Sequence, residues 1–411
     1  MKIIHLCDSL NPAGLGGYES YLHYLSEELS VRGNKSVIIT QSPRRDSPNS
    51  IELEHYTIHH LPGNYLEARK WEFYSLPEES REKEVERLFA RDDLERNIDS
   101  LAEQLVEILE EIRPDLIHAH STYVVFNRVL QKLREEGVVD SFPVIVTIHG
   151  RPKSLILPNG KQTTDYESFS EVCPFDHILA VSKNVAEELR RVLSIRKHNI
   201  HVSTLYLGVN LSVFSPERSI TKEWDIAFMG RFEPMKAVDL FPEMLVKLKK
   251  RCPNLKFLMT GEGSLKNDLI GKFESRDVAD LVEYLGVVKT ERVPELINKS
   301  LIFIYPSREE HFGLSILEAM ACGVPVVTTN VFGPSEILTQ NIDGLMVPPD
   351  NVEALVESIQ LLLQNENFRT VLGNNARKTV ESRFDIKRHC DELMDFYENM
   401  IESKKNRHVE I

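Results

Sequence analysis

Two carboxylates, Glu310 and Glu318, stand with seven residues between them in YPSREEHFGLSILEAMACG, residues 305–323. The apolar run from Leu301 to Tyr305 suits a buried strand, and Pro306, Ser307 and the charges after them break it. From Gly313 the Ala-rich LSILEAMA suits a helix. A loop feeding a helix start presents unpaired backbone N–H groups and the positive end of the helix dipole, an anion site for which a diphosphate is a natural occupant. A carboxylate repels a phosphate, so Glu310 and Glu318 are expected to grip hydroxyls at the two ends of a ligand whose middle is anionic. A nucleotide sugar, with ribose, diphosphate and sugar in that order, has this layout. The plainer alternative is an ordinary strand–loop–helix with two solvated acids.

A cationic step lies upstream. Asp225 to Met229 (DIAFM) reads as a strand and runs into Gly230-Arg231-x4-Lys236. Two cations at the C-terminal end of a strand can clamp a diphosphate and neutralise a leaving group, Arg as a planar fork and Lys as a point charge. Gly230 to Lys236 together with Glu310 to Met320, in that order, resembles the G-R-x4-K and E-x7-E signatures of the retaining glycosyltransferases of family 4, of GT-B fold. The resemblance covers nearly the whole chain. It implies two doubly wound Rossmann-like α/β domains facing across a cleft, an acceptor domain over 1–210 and a nucleotide-sugar domain over 217–384, with the helix of about 385–411 packing back on the first. It further implies transfer of a hexose or N-acetylhexosamine from a UDP- or GDP-sugar to a hydroxyl with retained configuration. A catalytically degenerate partner subunit and a phosphorylase-type enzyme of the same fold are the alternatives.

Carried over residue by residue, the resemblance assigns catalytic roles to His120, Arg231, Lys236 and Glu310. On the donor side it places Gly230, Gly261, Gly263, Val287, Phe312, Gly313, Leu314 and Glu318. Gly16-Gly17-Tyr18-Glu19 matches the family's G-G-x-E, which puts Gly16 and Gly17 near the donor and Tyr18 and Glu19 on the acceptor side, as are His149 and Gly150 of its T-x-H-[DG] step. His120 ends the strand DLIHAH and by that match lies near the donor sugar. The chain departs from the pattern at three places. His311 replaces the Gly of E-G-F-G, so it bears on donor choice. Ala237 replaces the Gly after Lys236, and LYLGVN (205–210) keeps only the Gly-Val of P-N-G-V-D.

The residues themselves narrow the classes. A chain of 411 residues is of the size for two domains. A net charge of −14 disfavours nucleic acid as a partner, without excluding a local basic patch, such as that of 185–198, for peripheral contact with an anionic membrane. The five scattered cysteines form no metal or disulfide pattern and fit a reduced, cytoplasmic setting. No apolar run reaches the ~18–20 residues of a spanning helix, and MKIIHLCDSL lacks the long apolar core of a signal peptide.

The opening KIIHLC strand, the NPAGLGG loop and the helix from Glu19 to Arg32 form a doubly wound start. Glu19 stands where a dinucleotide fingerprint needs its last Gly, and the second strand ends TQS without an acid, which disfavours a nicotinamide dehydrogenase. Residues 78–112 read as surface helices with an apolar stripe at Leu88, Leu101, Leu105, Ile108 and Leu109. His118 and His120 share a strand face by period two and offer half a metal site, but no third ligand is evident. No metal or cofactor is expected. Residues 151–165 read as a Pro/Gly-broken loop suited to an acceptor.

Overall fold

Short apolar runs rich in Val and Ile, alternating with amphipathic segments, dictate parallel strands covered by helices. The computed structural model describes residues 1–7, 10, 17–41, 48–61, 91–120, 124–150, 154–156, 162–164, 173–195, 200–217 and 219–409. Gly16, Leu88, Arg196, Lys197 and most of 151–165 lie outside them. The chain divides into two compact units, Met1–Asn11 with Leu25–Leu205 and Cys390–Ile411, and Pro12–Tyr24 with Tyr206–His389.

The first unit holds β1 (Lys2–Cys7), β2 (Lys35–Gln41), β3 (Ser50–Glu52), β4 (Tyr56–Leu61), β5 (Leu116–His120), β6 (Val144–Ile148), β7 (Ser154–Ile156), β8 (Gln162–Thr164), β9 (His177–Ala180) and β10 (Val202–Thr204). Eight of these form one sheet in the order β10-β9-β6-β5-β1-β2-β4-β3, parallel except where β3 meets β4. Its core joins the β1, β5 and β6 side chains to the apolar stripe of the helix Arg91–Ile112, where Ile98, Leu101, Leu105 and Leu109 are buried and Ile108 is partly so. The helix Lys183–Ile195 likewise turns Val185, Ala186 and Leu189 into the core. Within 151–165, expected as an irregular loop, β7 and β8 pair antiparallel, Leu155 opposite Thr163; the apolar and β-branched residues there favour extended pairing despite the flanking Pro and Gly. The end of the last helix, Ile386–Val409, belongs to this unit through Tyr397 and through the Lys404–Asp176 ion pair at 2.8 Å.

The second unit holds β11 (Trp224–Met229), β12 (Phe257–Thr260), β13 (Val282–Tyr284), β14 (Ser300–Tyr305), β15 (Val326–Thr329) and β16 (Leu345–Val347), all parallel in the order β13-β12-β11-β14-β15-β16. That is the order of a dinucleotide-binding sheet, and the direction of winding reverses between β11 and β14. Where 1–210 reads as one domain in the sequence, Pro12–Tyr24 is counted with this unit. A Cβ at Gly17 would lie 3.3 Å from Leu314 Cβ, so Gly17 abuts the helix Leu314–Ala321. The LYLGVN linker packs on residues 384–386, where a Cβ at Gly208 would come 2.5 Å from Ile386 Cα. Among the described residues no helix is long and apolar enough to cross a membrane.

Candidate functional site

In an open parallel sheet the crevice outside the carboxyl ends of the strands, at the point of reversed winding, is the binding position. In the second unit two segments meet there: residues 230–236 after β11 and 306–313 after β14. Gly230 N–H donates to Thr260 O at 3.1 Å and Phe232 N–H to Glu262 O at 2.8 Å. This contact is why 261 and 263 are glycines. A Cβ at Gly261, whose φ is +128°, would lie 1.9 Å from Gly230 O, and one at Gly263 would lie 2.4 Å from Phe232 O. Both glycines therefore seat the Gly230–Phe232 loop. Gly261 N–H donates to Gly286 O at 2.8 Å, which brings the segment after β13 alongside and leaves Val287 44% exposed.

Residues 234–236 then form one 3₁₀ turn, closed by Ala237 at φ +53°. The left-handed conformation explains the glycine that the family pattern carries after the lysine. The turn drives Lys236 inward. Its Nζ donates to Glu310 Oε2 at 2.6 Å and lies 4.8 Å from the centroid of the Tyr305 ring, with the two charged side chains only 9% and 12% exposed. Burial opposes both charges, but each holds the other: the Glu310 carboxylate, with Tyr305, raises the Lys236 pKa, and the Lys236 ammonium brings Glu310 below its ordinary value. Glu310 Oε1 also accepts from the backbone N–H of His311 at 3.1 Å and of Phe312 at 3.4 Å. The loop is thus wound on the Glu310 carboxylate. Arg231 is exposed and, among the described residues, forms no ion pair, while its charge is felt at Tyr305.

The helix Leu314–Ala321 starts at Gly313, φ +113°, with no side-chain cap, so the first N–H groups after it have no intrahelical acceptor. Phe312 is buried; its ring stacks on Tyr206 (5.9 Å between centroids, 15°) and meets Phe384 edge-on. Gly333 lets the next helix, Phe332–Ile337, close on the loop: a Cβ there would lie 2.5 Å from Phe312 N, and its N–H donates to Glu310 O at 2.9 Å. His311 and Leu314 are half-buried. Glu318, one turn into the helix, keeps some exposed surface, yet desolvation pushes its carboxyl up to about 8.

In the first unit the reversal falls between β1 and β5. His5 of β1 stands in register with His118 of β5, and Cys7 with His120. His118 Nδ1 lies 2.6 Å from the Tyr397 hydroxyl and its Nε2 2.7 Å from Thr147 Oγ1. His120 Nε2 lies 3.1 Å from His5 Nδ1 and its Nδ1 3.4 Å from His149 Nε2. The third histidine that the sequence did not reveal thus comes from β1, and ring nitrogens of His5, His118 and His120 all fall within 4.8 Å of one another. Both nitrogens of His118 and of His120 thus stand within hydrogen-bond distance of these neighbours. His120, expected beside the donor sugar, is 0% exposed; the half-buried members at this sheet edge are His149 and Gly150. Gly17 is exposed, Tyr18 half-buried and Glu19 buried.

The residues missed in the sequence are Tyr305 and His5. Tyr305 closes a strand and reads there as core. Nothing along the chain links His5 to residues 118–120.

The comparisons agree with this geometry. Residues 213–379 match the model of the glycosyl transferases group 1, and residues 15–213 that of Glycosyltransferase Family 4. An uncharacterized glycosyltransferase of Methanocaldococcus jannaschii is 30% identical over 271 residues, covering 66% of this chain and 72% of that protein. Among solved structures, a sucrose-phosphate synthase from Thermosynechococcus elongatus superposes with a TM-score of 0.78 at 20% identity, over 98% of this chain and 100% of that one. The Anabaena protein HepE, solved in complex with UDP and glucose, gives 0.69 at 16% identity, over 97% and 100%. With both halves matched in order and the fold shared, the chain belongs to the group 1 glycosyltransferases of family 4, hexosyltransferases of GT-B fold.

Proposed function

We propose that the protein moves a hexose or N-acetylhexosamine from a nucleoside-diphosphate sugar to an acceptor hydroxyl, with retained anomeric configuration and without a metal. The observation that carries this reading is the buried Lys236–Glu310 pair near an exposed Arg231, which forms no ion pair among the described residues, and an uncapped helix start. As the bond to the anomeric carbon breaks, negative charge grows on the leaving diphosphate. An ammonium carries three N–H donors; Glu310 takes one and Tyr305 faces Lys236, leaving a donor for a phosphate oxygen. Arg231 supplies a planar fork, and the helix start adds backbone N–H groups and the dipole. These fixed charges take the part that a divalent cation plays elsewhere. Glu318, protonated near neutrality before ligand arrives, both donates and accepts, which suits a ribose diol. Glu310 keeps lone pairs beyond its three present partners for a sugar hydroxyl.

The UDP bound in the Anabaena neighbour favours a uridine donor over guanosine. The acceptor class is a sugar, a glycolipid or a small metabolite, met in the cytoplasm or at the membrane surface. The test is cleavage and transfer with UDP-glucose, UDP-N-acetylglucosamine, UDP-galactose and GDP-mannose, for wild type, Lys236→Ala and Arg231→Ala, with and without EDTA. One donor should turn over, insensitive to EDTA, and about 10²–10³-fold more slowly in each variant, the usual cost of one lost transition-state charge contact. Turnover that disappears with EDTA overturns the metal-free clamp. Absence of binding to every donor by calorimetry overturns the enzyme reading and leaves a degenerate partner subunit.

A further inference from the structure

The first unit carries a line of imidazoles that the reading above does not use. His5 Nδ1 meets His120 Nε2 at 3.1 Å, and His120 Nδ1 meets His149 Nε2 at 3.4 Å. His5 and His120 are completely buried, whereas His149, just past the end of β6, is half-exposed. The line therefore runs from inside the sheet to its C-terminal edge. We propose that His5 and His120 are positioning residues that set which ring nitrogen of His149 carries its proton, so that His149 presents an Nδ1–H donor at the edge of the first sheet.

The direction follows from hydrogen-bond accounting. A neutral imidazole has one donor and one acceptor, so a line of neutral rings points all its protons the same way. If the line pointed inward, the proton of His5 would sit on Nε2, which is buried and has no hydrogen-bond partner among the described residues. A buried orphan N–H is among the rarest groups in folded proteins, more costly than an under-used acceptor. If the line points outward, His5 donates from Nδ1 to His120 Nε2, His120 donates from Nδ1 to His149 Nε2, and only a lone pair on His5 is left unmatched. The alternation requires each ring to stay neutral, and burial holds the His5 pKa down at about 3. His118 stands outside this line; Thr147 and Tyr397 occupy its two nitrogens, and its ring lies 4.0 Å from that of His120 as a packing wall.

An Nδ1–H donor suits a neutral hydroxyl of a sugar, and this use of the line rests on the glycosyl-transfer reading above. The line itself does not, which makes the two separable. The experiment uses the full-length protein labelled with ¹⁵N-histidine. Long-range ¹H–¹⁵N spectra report the tautomer of His149, assigned by its loss in His149→Ala, in wild type, His5→Leu and His5→Asn. Asparagine places an amide N–H near the former Nδ1; leucine places none. Circular dichroism and thermal melts confirm that each variant is folded. Wild type and His5→Asn should show the Nδ1–H form, and His5→Leu should show the Nε2–H form or a mixture. With the donor found in the screen, His5→Leu should lose about tenfold in kcat with KM little changed, and His5→Asn should recover most of it.

An Nε2–H tautomer in wild type, or an unchanged His149 spectrum in folded His5→Leu, overturns the positioning role. A changed tautomer with unchanged kcat keeps the line and overturns its use in transfer. If His5→Leu fails to fold, His120→Asn and His120→Leu carry the same comparison.

Discussion

Each of the two sheets gathers polar side chains where its winding reverses, but the second gathers charges and the first gathers imidazole rings. Between β11 and β14 lie Lys236, Glu310 and Arg231; between β1 and β5 lie His5, His118 and His120, joined to Thr147, His149 and Tyr397. The same topology serves both because it brings two strand ends together outside the sheet, whatever those ends carry. What differs is the ligand that each can meet. A fixed positive field suits a diphosphate; directional neutral donors suit hydroxyls. The energetic consequences differ as well. A buried ion pair suffers heavily from loss of one member, whereas a neutral network loses one hydrogen bond at a time.

That contrast sets the order of effects. Lys236→Met strips Glu310 of its counter-charge and should destabilise the second unit by about 3–5 kcal/mol in urea unfolding, with Lys236→Met/Glu310→Gln recovering much of the loss. Additive losses in the double variant would break the account of a coupled pair. Next comes Glu318. Its folded pKa of about 8 exceeds the ordinary 4.5, so between these values the native state holds a proton that the unfolded chain has released. Stability should therefore be fully present below about 4.5 and fall as pH rises towards 8, and Glu318→Gln should flatten that slope. Melting curves of both proteins from pH 5 to 8.5 decide it; parallel curves would refute the raised carboxyl.

On the neutral side, Tyr397→Phe deletes the hydroxyl 2.6 Å from His118 Nδ1. The expected loss is about 1–2 kcal/mol, distinctly below that of Lys236→Met, by the same unfolding measurement. An equal loss at both sites would erase the contrast. Smallest is Ala237→Gly. Relief of the left-handed strain, about 1–2 kcal/mol, is offset by the added freedom of unfolded glycine and by loss of a buried methyl, so the change should stay within about 1 kcal/mol. A larger loss would mean that the methyl, rather than the backbone, shapes the turn after Lys236.

Much of the scaffold was legible along the chain. The strands at 2–7, 257–260 and 300–305 and the helix from Leu314 follow from apolar runs bounded by glycine, proline and charge. The cation step, the paired glutamates and the glycines at 230, 261, 263 and 313 were visible as spacings. Their packing partners were not. Gly261 and Gly263, read as near the ligand, are small because the Gly230–Phe232 backbone presses on them. Phe312, placed by the resemblance on the donor side, packs its ring against Tyr206 and Phe384. His120, placed by the resemblance near the donor sugar, stands between His5 and His149. A short motif tells which residue types stand together, but not which side of the motif faces solvent.

The sequence by itself determined the alternation of strand and helix, the two-part parallel architecture and the types of group available for chemistry, because these depend on neighbours a few residues apart. Only the tertiary structure decided that Lys236 is held by a carboxylate 74 positions away and that His5 reaches a histidine 115 positions away. Such partners are chosen by strand order and by which side chains share a buried edge. No local pattern encodes that choice, since a buried charge or imidazole takes whatever complementary group the fold brings within reach.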